Sequence, residues 1–238
     1  MTKTITNLIA RSNEVWSTYL RRRYAILFYV LLFTLVVAPV LVALRLRSTF
    51  IEVLVVTTLL VAVLPVRTGN VRRILFILAS AALAGRFLAT LFGEAFAPVD
   101  HGIWTVVGLL AAANALRSVL RAVSIDSEHI YAALSAYLLA GLSFGVLYWA
   151  LEQAWPGSLY YGGNVVDRFS EADGIYFSFV TLATLGYGDL TPKTEVARGL
   201  AVLEAVAGQL YLAVLVARLV SLYQSGAGGR KHPGHEAK

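Results

Sequence analysis

The chain has 238 residues, 58% of them hydrophobic and 14% charged, with a formal net charge of +6. About a quarter of the residues of a soluble domain are charged, so this composition excludes a small water-soluble core and predicts an all-α membrane protein. With no cysteine the chain is barred from disulfides and thiolate metal sites.

Residues 1–23 are mixed polar, with no pattern of a cleaved signal peptide. Ile5, Leu8, Ile9, Trp16 and Leu20 recur at roughly helical spacing, so this cytoplasmic segment is either an amphipathic helix on the membrane surface or a frayed tail. A helix needs about 20 apolar residues to cross the hydrocarbon core. Runs at about 24–45, 49–66, 73–93, 102–121 and 129–152 meet that length or nearly so, and a sixth runs over 196–223. Between the fifth and sixth lie a polar, glycine-bearing stretch from Trp155 to Ser170 and a short amphipathic run from Glu171 to Ala183. That run is too short to span. It reads as a re-entrant helix, which is tolerated at membrane depth only when buried in protein or beside water. The expected units are the amino-terminal segment 1–23, a four-helix domain over 24–122, a pore-like module over 127–223 and a tail over 224–238.

Basic residues set the orientation. Lys3, Arg11, Arg21, Arg22 and Arg23, then Arg67, Arg72 and Arg73, then Arg117 and Arg121, and last Arg230, Lys231 and Lys238 all fall on one side of six spans. That side is expected to be cytoplasmic and to hold both termini of a multi-pass protein; Arg45 and Arg47 break the rule. Because the basic residues sit at span ends, no nucleic-acid partner is expected. His101, His129, His232 and His235 do not fall at metal-ligand spacing with carboxylates, so neither a metal nor a catalytic site is expected.

The segment Glu171–Pro192 reads EADGIYFSFVTLATLGYGDLTP. Carbonyls aimed to one side require a backbone that alternates in handedness, and glycine takes positive φ without steric cost, which suits Gly186 and Gly188. The order of pore helix, Thr184-Leu185-Gly186-Tyr187-Gly188-Asp189 and membrane helix resembles the pore module of potassium channels. The resemblance covers about 127–223. It implies a bacterial, six-span, single-pore-loop member in the inner cell membrane, laid out like voltage-gated channels and closed as a four-fold homotetramer. It further implies passive potassium transport, with K+ held by the carbonyls of Thr184, Leu185, Gly186 and Tyr187 and no other cofactor. Such a filter replaces the ion's hydration shell with oxygens. Leu185 departs from the commoner valine. A weakly selective cation channel, a non-conducting membrane subunit or a transporter are the competing readings, and a plain surface turn is the structural alternative.

By the same resemblance, Tyr187 braces the loop and Asp189 sits behind its outer mouth. Tyr176 is the one of the pair Tyr176 and Phe177 with a hydroxyl to reach Asp189. Val180 stands where some bacterial channels carry a glutamate. Gly208 matches the position at which many inner helices bend, and is read as a hinge or a packing site. Glu204, ionisable inside a span, is a functional candidate by default, as a hydrogen-bonding group behind the loop or as a gate. Gln209 and Tyr211 are alternatives for a cavity-facing side chain. Gly141-x-x-x-Gly145 permits close helix approach, expected against the sixth span. Span four carries only Arg117 and Arg121 near one end, whereas steep voltage gating needs about three or four charges per subunit. Strong voltage gating is therefore not expected. Arg86 in span three is expected to pair with Glu52 in span two. The tail 224–238 is too short for a ligand-sensing domain.

Overall fold

The computed structural model describes residues 22–37, 39–40, 44, 73, 77, 80, 97–122, 126–165 and 169–228. Residues 1–21, most of the second and third apolar runs, Glu52, Arg86 and the tail beyond 228 lie outside them. The amphipathic segment, the Glu52–Arg86 pair and two of the six spans are therefore outside the described residues.

Helix α1 covers residues 22–37. Helix α2 is Ala97–Leu120, with Pro98 in its first turn, where a missing N–H removes no helical bond. Helix α3 is Ser127–Ala154, capped by Asp126, whose carboxylate accepts from the His129 backbone N–H at 3.1 Å. Helix α4 is Glu171–Leu182 and α5 is Glu195–Gly228. Among the described residues α3 and α5 are long and apolar enough to cross a membrane. The 34 residues of α5 rise about 51 Å, more than the roughly 30 Å of hydrocarbon. The 12 residues of α4 rise about 18 Å, too short to cross.

The Trp155–Ser170 stretch is more ordered than its composition suggests. Strands β1 (Leu159–Tyr161), β2 (Asn164–Val165) and β3 (Leu190–Pro192) form an antiparallel sheet in the order β2-β1-β3. The described residues are mostly helical, consistent with the all-α expectation, and this small sheet is an addition that the sequence reading did not include. The β1–β2 turn is Gly162-Gly163, both at positive φ (54° and 86°), which matches the twist of a two-residue hairpin. Tyr160 pairs with Thr191 and Tyr161 with Leu190, so the chain leaving the Gly-Tyr-Gly loop is fastened to the chain leaving α3.

Helices α1, α2 and α3 share one packed cluster. Leu27, Leu31 and Leu139 meet the small side chains Ala111, Ala115, Ala132 and Ala136. Alanines four apart lie on one helix face and let the helix axes approach closely. A second cluster joins Tyr148, Leu159, Phe169, Phe177 and Leu190 beneath the sheet. By contrast α5 leaves Val202, Leu203, Val206 and Leu210 more than half exposed. A helix apolar on its open face needs lipid or another apolar surface around it.

The glycine stripe of α3 meets a different partner from the one expected. A Cβ on Gly141 would strike the Phe179 ring, and one on Gly145 would strike the Ile175 backbone. The partner is thus the short helix α4, not the sixth span. Gly174 of α4 faces Gly145 in return. Gly145 and Gly174 let the two backbones touch, and that contact fixes α4 against α3.

Candidate functional site

The site is the loop between α4 and β3 with the groups that hold it. Ser170 caps α4: its Oγ accepts from Asp173 N at 3.2 Å, and its own N–H donates to Asp173 Oδ2 at 2.8 Å. Glu171 and Asp173 in the first turn complement the positive end of the helix dipole, and the negative end points into the loop. At that end the chain wraps back on itself. Thr184 N donates to Thr181 O at 3.0 Å and Leu185 N to Val180 O at 2.9 Å.

Beyond Ala183 the backbone alternates. Thr184, Gly186 and Gly188 have φ of 57°, 57° and 80°, and among the described residues Thr184 is the sole non-glycine at positive φ. Glycine takes this region freely, whereas an L-residue pays a steric cost there. Positive φ at every second residue, flanked by ordinary φ, turns successive carbonyls in a common direction rather than to opposite sides as in a strand. Glycine at 186 and 188 announces two of these positions. Threonine at 184 announces nothing, so its conformation was not legible from residue type.

The loop is braced on its outer side. Tyr176 donates its phenolic proton to Asp189 Oδ2 at 2.7 Å, the contact expected from the sequence, and Leu190 N donates to Asp189 Oδ1 at 2.9 Å. These donors, Tyr176 first, hold the Asp189 carboxyl below its ordinary value. The Tyr176 and Tyr187 rings stack at 6.5 Å between centroids, 9° from parallel. Gly162 N donates to Asp189 O at 2.8 Å, which ties the hairpin to the same residue. Val180 is buried in α4 and brings no carboxyl to this cluster. Leu185 and Tyr187 remain 56% and 66% exposed in the single chain.

Behind the loop lies a buried polar cluster. Glu204, Tyr148 and Ser178 each have 0% exposure. Tyr148 donates to Glu204 Oε2 at 2.8 Å, and Ser178 Oγ lies 2.5 Å from Glu204 Oε1 and 2.7 Å from Gly141 O. Glu204 therefore joins α3, α4 and α5. Sequence singled out Glu204 but not Tyr148 or Ser178, because an ordinary tyrosine or serine in an apolar run carries no signal of its distant partner. Glu152 was also missed: buried at the end of α3, it accepts from Gly157 N at 2.6 Å and Leu159 N at 2.9 Å and fixes the start of β1.

Gly208 lies where α5 crosses the end of α4. A Cβ there would fall 2.8 Å from Leu182 Cδ1 and 2.9 Å from Leu182 O. Close packing accounts for this glycine, and α5 continues through it as unbroken helix. Tyr211 turns back to α3, where its hydroxyl donates to Ala133 O, while Gln209 is exposed. Arg117 and Arg121 are exposed at the end of α2. Next to them Arg218 of α5 donates to Leu120 O at 3.2 Å and Ala122 O at 2.6 Å, capping carbonyls that the helix end leaves open.

With this geometry in place, sequence similarity falls on the same region. Residues 133–225 match the model of a family described as "Ion channel". Over 85 residues the chain is 35% identical to Two pore potassium channel c of Oryza sativa subsp. japonica, covering 36% of this chain and 18% of that one. Over 97 residues it is 31% identical to Two-pore potassium channel 2 of Arabidopsis thaliana, covering 40% of this chain and 20% of that one. Inward rectifier potassium channel Kirbac3.1 of Paramagnetospirillum magnetotacticum is 33% identical over 97 residues, 39% of this chain and 29% of that one. The matches therefore span less than a third of the length of these curated relatives. No solved structure matches the chain. From α3 through the loop to α5 the chain is similar to the ion-channel family, and the relatives named above are potassium channels.

Proposed function

We propose that this chain is one subunit of a potassium-selective channel, with the 184–188 backbone as its filter and K+ as the transported ion. The carrying observation is positive φ at Thr184, Gly186 and Gly188, directly after a helix too short to span. A loop of aligned carbonyls at membrane depth offers oxygen ligands that substitute for water around a monovalent cation. The carbonyls of Thr184, Leu185, Gly186 and Tyr187 are the ligands in this reading. Asp189 and Tyr176 hold the outer end of the loop in this reading.

One loop cannot encircle an ion, so four copies close the ring as a homotetramer in the cell membrane, with both termini cytoplasmic. The exposed apolar face of α5 and the exposed Leu185 and Tyr187 supply surfaces for neighbours and lipid. Two exposed arginines at the end of α2 make this a channel without steep voltage dependence. Helix α2 packs on α3 of its own chain and the link between them is short, which favours a first domain that stays beside its own pore module.

Potassium and sodium uptake into liposomes holding the purified chain tests the reading, with Gly186→Asp as control. Potassium-selective uptake lost in the variant supports it. Equal uptake of both ions would replace it with a weakly selective cation channel.

A further inference from the structure

We infer that Glu204 carries its proton, and that its neutral carboxyl starts a directed hydrogen-bond chain through Ser178 to Gly141 that positions α4 behind the signature loop. Counting protons leads here. Ser178 Oγ has two partners within reach, Gly141 O at 2.7 Å and Glu204 Oε1 at 2.5 Å. A serine hydroxyl owns one proton, and a backbone carbonyl only accepts. With an ionised Glu204 both partners would be acceptors competing for that proton, and one close contact would set lone pair against lone pair.

A protonated Glu204 resolves the conflict. Oε1–H donates to Ser178 Oγ, Ser178 O–H donates to Gly141 O, and Tyr148 O–H donates to Glu204 Oε2. Every proton then has an acceptor. The surroundings agree. Glu204, Tyr148 and Ser178 are wholly buried, and a buried charge is costly unless paired. Among the described residues the recorded ion pairs are His129 with Asp126 and Arg198 with Glu195, both elsewhere. The titratable groups facing Glu204 are Tyr148 and Tyr137 of α3, neither a cation, while α4 presents Ser178.

Glu204 acts through Ser178 on α4 and does not touch the transported ion, so it is a positioning residue. Its role in conduction rests on the channel reading, but its protonation state does not. Glutamine reproduces the neutral pattern, with Nε2–H donating to Ser178 and Oε1 accepting from Tyr148. Leucine removes the pattern.

The test is the infrared difference spectrum of the full chain in lipid vesicles at neutral pH, wild type minus Glu204→Gln, with thermal unfolding of both across pH. The expected result is a protonated-carboxyl stretch lost in Glu204→Gln, unfolding of that variant close to wild type at neutral pH, and a marked loss in Glu204→Leu. Alkaline pH that strips the proton should destabilise wild type and leave Glu204→Gln unmoved. A spectrum without the lost acid stretch, or a Glu204→Gln chain as damaged as Glu204→Leu, would overturn the inference. The acid stretch without potassium-selective flux would uphold the inference while removing the channel reading, and selective flux without the stretch would do the reverse.

Discussion

Gly145→Ala probes the backbone contact that fixes α4 against α3. The added Cβ would lie 2.5 Å from Ile175 Cα and 2.9 Å from Ile175 N. Carbon atoms rest at about 3.5–4.0 Å, so α4 must retreat by about 1 Å, carrying the loop with it. Backbone cannot rotate aside as a side chain can. Forcing a methyl group into such a contact costs about 1–3 kcal/mol, and the better helix propensity of alanine returns about 1 kcal/mol at most. At Gly141 the obstruction is the far edge of the Phe179 ring, 2.6 Å away at Cζ, which can swing clear. At Gly199 nothing lies within 4 Å. Equilibrium unfolding of the three alanine variants in mild detergent should rank Gly199→Ala at or above wild type, then Gly141→Ala, then Gly145→Ala lowest. A Gly145→Ala chain as stable as wild type, or less damaged than Gly141→Ala, would refute the reasoning.

Tyr176→Phe removes the main donor that lowers the Asp189 pKa. The stabilisation from that donor is present above the ordinary carboxylate range and is lost as pH falls through the lowered value. Wild type should therefore lose thermal stability in acid, and Tyr176→Phe should start lower and show a weaker acid loss; parallel pH profiles would contradict this. Glu152→Ala orphans the N–H groups of Gly157 and Leu159, at about 1–3 kcal/mol for each that stays buried. Hydrogen exchange at those two amides should quicken while exchange in mid-α3 is unchanged. Gln209→Cys should react with a polar thiol reagent and lose flux, whereas Tyr211→Cys, turned toward Ala133, should be protected. Equal reactivity would place α5 differently.

What the sequence disclosed was local. The apolar runs over 102–121 and 129–152 and the short run from Glu171 lie where α2, α3 and α4 are found, because length and hydropathy are summed along the chain. Tyr176 and Asp189 could be paired because they are close in sequence. What stayed hidden depends on neighbours far away. The glycine stripe of α3 advertises a close approach but not the helix that approaches, and α4 took the place expected of the sixth span. Tyr148 and Ser178 gain meaning only when Glu204, from a third helix, arrives between them. The hairpin was the exception: Gly162-Gly163 between Tyr161 and Asn164 is a recognisable turn signal, overlooked because the surrounding stretch reads as polar linker. Thr184 is the converse, an ordinary residue forced into glycine's conformation by its position between α4 and the loop.

The claim at the centre of this account is that the alternating backbone over Thr184–Gly188 selects potassium. The most direct measurement is the reversal potential of single channels in a planar bilayer, with potassium on one side and sodium on the other. Selection by backbone carbonyls predicts a reversal displaced strongly in the direction set by potassium, and no such channels from Gly186→Asp. A reversal near zero in the wild-type chain would contradict it.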